Sequence, residues 1–334
     1  MTIKFSFLRD SDGYMKKILF ICDPLDTFKL QTDATYMLMV AASDLGFSIF
    51  YCLPNQVYAQ NNQALAIATP LTILATSTQE PGHVMPWYSE QHSLPLVGTQ
   101  LNAFDLVMVR NDPPFDLEYY YLTQLMTIAE RSGVSVINNS FALRNYNEKL
   151  AILNFPELIP TTVVTKNRGI LHDFLHTHGE CVVKPLNLMA GRGIFKLSLN
   201  DVNYDAILES STNYYTETVM LQQFIPEVVH GDHRIFIVHG KVIEHCLWRI
   251  PQDNKIRGNI AAGGRGEVHP LTAEDYQIAA PIAKWLQENN IVFSGIDVIG
   301  NKLTEINITS PTGTRQIFRH AGIDIPKLIL QPYN

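Results

Sequence analysis

The chain has 334 residues, enough for about two domains, and 46% of them are hydrophobic, which excludes a disordered chain. Lys and Arg number 25 against 32 Asp and Glu, a net charge of −7, which argues against nucleic acid as a partner. Cys22, Cys52, Cys181 and Cys246 sit in apolar runs without CxxC spacing, so the expectation is a reducing, cytoplasmic compartment with neither disulfides nor a zinc ribbon. No continuous run of about 18 apolar residues is present to span a membrane. Residues 1–14 lack the apolar core of a secretory signal and read as an extension ahead of Met15.

Residues 18–22 (ILFIC) form an apolar run ended by Asp23-Pro24, the pattern of a buried strand in a parallel sheet. A helix over 33–45 follows, with Asp33 as N-cap and Gly46 just past its end, and a strand over 47–53 completes a βαβ unit. Residues 54–103 are polar and punctuated by proline, and no periodicity organises them. Strand 105–109, helix 118–131 and strand 134–137 extend an open parallel α/β domain assigned to residues 15–142. Ligands in such sheets bind past the carboxyl ends of strands, where Asp23-Pro24 and residues 110–116 lie.

From 143 to 334 the pattern becomes α+β and mostly antiparallel. Strand 180–184 enters a loop holding Gly191 and Gly193 and leaves through 194–197, and strand 218–225 precedes Pro226. Strands 233–239 and 242–248 meet across Gly240-Lys241, helix 272–289 is amphipathic, and strands 292–299 and 302–308 join at Gly300-Asn301.

Four clusters carry chemistry. Lys149 and Lys184 accompany the glycine loop, whose backbone amides can turn toward phosphate oxygens; a surface lysine beside an ordinary turn is the other reading. Asp297, Glu305 and Asn307 can share one face of the last hairpin, an oxygen-only set that suits Mg²⁺; a solvated polar face is the alternative. Arg234, Arg249, Arg257, Gly258, Gly263, Gly264 and Arg265 suggest a lid over an anionic intermediate, or else a solvated linker. Ser310, Pro311, Thr312, Gly313, Thr314 and Arg315 offer hydroxyls, amides and a guanidinium for a carboxylate. His172, His176 and His178 lack a further ligand for zinc.

In order, Asn147-Glu148-Lys149, Val183-Lys184-Pro185-Leu186, Gln222-Gln223-Phe224-Ile225-Pro226, Gly231-Asp232-His233-Arg234, RGNIAAGGRG from Arg257 to Gly266 and LTEINITSPTG from Leu303 to Gly313 resemble the prokaryotic-type glutathione synthetases, which are ATP-grasp ligases. Asp112-Pro113-Pro114-Phe115-Asp116 and Asp23-Pro24 resemble that family's N-terminal domain. The resemblance implies a substrate-binding α/β domain followed by an ATP-grasp domain over 143–334, in which two antiparallel subdomains grip ATP under a lid at about 250–265. It implies ATP-dependent joining of γ-glutamylcysteine and glycine through an acylphosphate. Lys149, Lys184, Gly191 and Gly193 would take the phosphates, Gln222, Gln223, Phe224 and Ile225 the adenine, and Asp232 the ribose. Asp297, Glu305 and Asn307 would hold Mg²⁺ (or Mn²⁺), with Asn307 also near ATP. Arg234 and Arg257 would be catalytic; Arg249, Arg257, Gly263, Gly264, Ser310, Pro311 and Thr312 would bind substrate. The resemblance further implies a cytoplasmic homo-oligomer, tetrameric, with small-molecule partners only. A sister ligase with another acceptor and a nucleotide binder with impaired turnover remain alternatives. Asn187-Leu188-Met189-Ala190-Gly191 stands where the family usually has Asp-Gly-Met-Gly-Gly, and Leu188 and Ala190 adopt positive φ less readily than glycine.

Overall fold

A computed structural model describes residues 15–74, 86–90, 98–189, 191–251 and 264–334. The first half holds β1 (Lys17–Ile21), β2 (Ser48–Cys52), β3 (Val57–Gln60), β4 (Gln63–Ala66), β5 (Thr69–Ile73), β6 (Tyr88–Glu90), β7 (Thr99–Gln100), β8 (Leu106–Val109) and β9 (Ser135–Ile137), with helices α1 (Ala34–Asp44) and α2 (Leu117–Arg131). Asp33 caps α1 by accepting Tyr36 N, and Asp116 caps α2 by accepting Tyr119 N. The main sheet runs β6-β5-β2-β1-β8-β9.

The open parallel sheet expected here is present in β2, β1, β8 and β9, and β5 and β6 add an antiparallel edge to it. Pro70 is tolerated in β5 because β6 pairs only with Leu71, Thr72 and Ile73, leaving no partner there that needs a proline N–H. The stretch that showed no periodicity also builds a second sheet, β3-β4-β7.

The second half begins with α3 (Ser140–Asn145) and contains β10 (Thr162–Thr165), α4 (Arg168–His178), β11 (Glu180–Pro185), β12 (Phe195–Ser198), α5 (Tyr204–Ser211), β13 (Val219–Gln223), β14 (Asp232–Val238), β15 (Lys241–Ile250), β16 (Arg265–Pro270), α6 (Ala273–Glu288), β17 (Phe293–Ile299), β18 (Lys302–Asn307), α7 (Thr314–Ala321) and α8 (Ile325–Leu330). Two antiparallel sheets result, β10-β13-β11-β12 and β16-β15-β14-β17-β18. Phe224 and Ile225 fall beyond β13, which is shorter than its sequence pattern. The β14–β15 turn is His239-Gly240, one residue earlier than expected, because both residues take left-handed φ (+49° and +72°) and Val238 pairs Lys241. Thr272 and Asp275 form a capping box at the start of α6.

The chain's last helices pack on α1 and on the edge of the β16-β15-β14 sheet, which joins the first half to the second. Ile317, Ile325, Ile329 and Leu330 are fully buried in one cluster with Ile18, Phe20 and Met39, and Lys16 Nζ donates to Tyr333 O at 2.9 Å. Asn138 joins the halves differently: its amide donates to Phe293 O and Ile308 O (2.7 Å each) and accepts Val292 N and Phe293 N (2.9 and 3.0 Å). No helix among the described residues is long and apolar enough to cross a membrane.

Candidate functional site

The cleft between the two antiparallel sheets gathers Lys184, Gly191, Gln222, Gln223, Phe224, Ile225, Asp232, Arg249, Asp297 and Glu305, residues that the sequence places up to 121 positions apart. Val182, Ile194, Val228 and Ile299 supply apolar walls, as a flat aromatic base requires. Lys184 leaves the end of β11 buried; burial pushes its ammonium pKa down, while Glu305 opposes that shift. Left-handed φ falls at Gly191 (+72°) and Gly193 (+68°), and Leu188 is not among the left-handed residues. The strain expected at Leu188 is therefore absent, and Ala190 lies outside the described residues. A Cβ at Gly193 would meet Pro185 Cγ at 2.8 Å. Gly193 does not line the cleft with Gly191.

The acidic hairpin folds as its sequence pattern indicates. Gly300 takes φ +57° at the turn, Asp297 pairs with Glu305 across the ladder, and Asn307 follows two residues on. Asp297 is buried and bound by two arginines. Arg234 forks onto it through Nε–Oδ1 (2.8 Å) and NH2–Oδ2 (2.7 Å), and Arg249 NH2 reaches Oδ2 at 2.8 Å. Arg249 also forks onto Asp232, with Nε donating to Oδ1 at 2.8 Å and NH2 to Oδ2. Burial alone would raise the Asp297 pKa, but Arg234 and Arg249 outweigh it and hold the carboxyl well below its usual range. Burial dominates at Asp232, whose carboxyl is raised despite Arg249.

Glu305 lies 3.7 Å from Lys149 Nζ, which donates to Leu188 O at 2.6 Å. Asn307 Nδ2 donates to Gly295 O (3.1 Å) and Asp297 Oδ2 (3.2 Å), so its carbonyl oxygen remains the coordinating atom. Asp297, Glu305 and the Asn307 amide oxygen make the hard, oxygen-only chemistry that Mg²⁺ takes, with both Asp297 oxygens held by Arg234 and Arg249 in this structure.

A second cavity opens on the other side of the hairpin, toward the N-terminal half. Arg234, Arg249, Glu305, Asn307, Ser310, Pro311 and Thr312 line it, together with Asp33, Asp112 and Glu148. Arg249 and Glu305 line both cavities, so the hairpin is the wall between them. Within the substrate loop, the Ser310 hydroxyl donates to Arg110 O at 2.9 Å rather than standing open. Arg315 is corrected from a carboxylate ligand to a packing residue, because it donates to Leu30 O and sits 5.6 Å over the Tyr36 ring. Gly264 precedes β16 and lines neither cavity. Arg257, Gly258, Gly263 and most of the expected lid over 250–265 lie outside the described residues.

Sequence reasoning placed residues 110–116 past a strand end where ligands bind, but gave no site role to four polar groups near this cavity. Arg110 is buried at the end of β8, with Nε on Thr35 Oγ1 (3.2 Å) and NH1 on Thr309 O (3.3 Å). Asp112 is pushed up to about 6 by burial and by Asp23 beside it. Asp33 had signalled only a helix cap, and Glu148 only a motif neighbour. The position of Arg110 and Asp112 past a parallel strand was the available signal. Elsewhere, His233, Cys246 and Asp275 cluster within 4.8 Å, and the bond from His233 Nδ1 to Asp275 Oδ1 (2.9 Å) accounts for the pairing without a metal.

Gly231, which precedes Asp232, has φ +101°, and a Cβ there would approach Arg249 O to 2.7 Å. Gly231→Ala is expected to destabilise the protein by more than about 1 kcal/mol, read as a lower Tm, and to weaken nucleotide binding in a titration.

The family model of the prokaryotic glutathione synthetase N-terminal domain matches residues 16–144, and that of the prokaryotic glutathione synthetase ATP-grasp domain matches 148–322. The glutathione synthetase of Neisseria meningitidis serogroup A is 42% identical over 309 residues, covering 92% of this chain and 95% of its own. That of Nitrosomonas europaea is 40% identical over 316 residues, covering 94% and 96%. Among solved structures, D-cycloserine synthetase DcsG superposes with TM-score 0.62 at 13% identity, covering 95% of this chain and 100% of its own. The ATP-grasp ligase PsnB with its precursor peptide gives 0.59 at 15% identity, covering 95% and 97%. At those identities the likeness is one of fold.

Proposed function

This chain belongs to the prokaryotic glutathione synthetase family, and from that premise we propose how its residues carry out the ATP-dependent ligation of γ-glutamylcysteine and glycine. The observation that carries the reading is the shared wall: Glu305 and Arg249 face both cavities, so a nucleotide's γ-phosphate in one meets a carboxylate in the other.

Lys149, Lys184 and the amides of the loop around Gly191 and Gly193 hold the ATP phosphates, Gln222 to Ile225 border the adenine, and Asp232 contacts the ribose. Asp297, Glu305 and Asn307 would hold Mg²⁺, with Mn²⁺ as a substitute; the cation neutralises phosphate charge. The cysteine carboxylate oxygen of γ-glutamylcysteine attacks the γ-phosphorus, the bond to the β-phosphate bridge breaks, and ADP leaves. The glycine amine then attacks the acyl carbon, losing a proton, and phosphate departs as the peptide bond forms. Arg234 and Arg257 stabilise the negative charge that develops on the acylphosphate and the tetrahedral intermediate. Arg249, Gly263, Gly264, Ser310, Pro311 and Thr312 position the peptide carboxylate and glycine. Closure of residues 250–265 excludes water that would hydrolyse the acylphosphate.

The domain limits follow at 15–142 and 143–334. The proposal extends to a cytoplasmic homo-oligomer, tetrameric as family resemblance implies, with small molecules as its only partners. The test is ADP release with Mg²⁺-ATP, γ-glutamylcysteine and glycine, each omitted in turn, with the product identified by mass. Release that needs every component and yields glutathione supports the reading. Release that favours another acceptor amine replaces it with a sister ligase, and nucleotide binding without release replaces it with a binder of impaired turnover.

A further inference from the structure

Asn307 and the substrate loop 310–312 are both carried by residues 306–310, where β18 leaves its sheet. β18 is an edge strand. β17 pairs one side, and along the other Ile306 N donates to Glu148 O (3.0 Å) and Leu303 N to Leu158 O (2.8 Å). Past Asn307 the ladder ends, and one side-chain oxygen takes its place. Glu148 Oε1 accepts Ile308 N (2.9 Å), Thr309 N (3.0 Å) and Thr309 Oγ1 (2.8 Å). Three donors on one carboxylate oxygen form a strong, directional anchor.

The neighbours of Glu148 reach the other parts of the site. Asn147 Nδ2 donates to Leu186 O (2.9 Å), and Lys149 Nζ donates to Leu188 O (2.6 Å) while facing Glu305 at 3.7 Å. Residues 147–149 therefore tie the glycine loop, the acidic hairpin and the substrate loop to one another.

We infer that Glu148 is a positioning residue that sets how the substrate loop stands relative to the acidic hairpin, an inference that rests on the function proposed above. It touches no reacting atom; it acts through Ile308 and Thr309. The fold does not depend on it alone. Asn138 Nδ2 holds Ile308 O (2.7 Å), Arg110 NH1 holds Thr309 O (3.3 Å), and Ser310 Oγ holds Arg110 O (2.9 Å). Loss of Glu148 leaves those bonds in place but frees the direction of two consecutive amides next to Asn307.

The test compares Glu148→Ala, Glu148→Gln and Glu148→Asp in the full chain. Groups that orient a site's ligands typically contribute 10–100-fold, so Glu148→Ala is expected to lower kcat/KM for γ-glutamylcysteine about 100-fold and Glu148→Gln about 10-fold. Calorimetric ATP affinity should fall much less than kcat/KM does, since Glu148 reaches the nucleotide only through its neighbour Lys149 and through Ile308 beside Asn307. Glu148→Asp, charged but one methylene short, should resemble Ala rather than Gln. Amide hydrogen exchange should quicken in 306–312 and stay unchanged in β11 and β13. Unchanged kcat/KM in the Ala variant, or losses confined to melting temperature, would overturn the inference, as would an Asp variant with wild-type kinetics. If the wild-type chain makes no glutathione, the functional reading fails instead, and the exchange data still decide whether Glu148 holds 306–312.

Discussion

Glu305→Gln is expected to reduce Mg²⁺-dependent glutathione formation by about a thousandfold or more while leaving the fold intact. The substitution preserves shape and removes one negative charge at the wall between the two cavities. Its structural cost is larger than that of a surface pair: the contact with Lys149 is long at 3.7 Å and the Glu305 side chain is 21% exposed, but that of Lys149 is 5% exposed and Glu305 also offsets the burial of Lys184. Two buried lysines then lose a counter-charge, which lowers stability without abolishing the fold. The chemical effect is large, because phosphoryl transfer depends on neutralising charge on transferring oxygens. The measurement is ADP release at saturating ATP across a Mg²⁺ titration, beside a thermal melt. A lowered Tm with a cooperative melt retained and turnover lost is the expected pair of results. Near-normal turnover would remove Glu305 from the metal set.

Asp297→Asn should damage both stability and turnover. Its carboxylate balances two buried guanidinium groups, with contacts of 2.7–2.8 Å. Removing one partner of a buried ion network typically costs about 3–5 kcal/mol, because the charges left behind stay desolvated. The pH dependence follows from the lowered carboxyl pKa. A carboxyl that ionises more readily folded than unfolded contributes its full stability above the unfolded value, near about 3.9, and loses it as pH falls toward the folded value. Urea unfolding at pH 7 should therefore show the large difference between wild type and Asp297→Asn, and that difference should shrink as the pH drops below about 4. A constant difference across that range would mean that shape, rather than charge, holds the arginines.

Local features of this fold were legible because their causes are local. Asp33 capping Tyr36 and the Gly300 turn each involve residues at most three apart. The site residues in one cleft were legible for a related reason: Lys184, Gln222, Asp232, Asp297 and Glu305 occupy strands or strand ends whose motifs resemble a known family. Residues 54–103 were not legible, because strands of two to five polar-flanked residues exist only through their pairing partners. Glu148 and Arg110 were missed for the same physical reason, since their bonds to Thr309 span 161 and 199 residues. The β14–β15 turn slipped by one because His239, a residue with a Cβ, adopts the left-handed conformation ahead of Gly240.

The packing of α7 and α8 against α1 has a consequence for how the protein is made. A ribosome releases β1 and α1 long before α8, yet Ile18, Phe20 and Met39 share their buried cluster with Ile325, Ile329 and Leu330. Until α8 emerges, the outer face of α1 lacks the helix that covers it, so the nascent chain carries an unfinished apolar surface until that point. Chains arrested just short of residue 325 should accordingly be sticky and prone to capture by chaperones, and release of the final helix should be the event that ends this vulnerability.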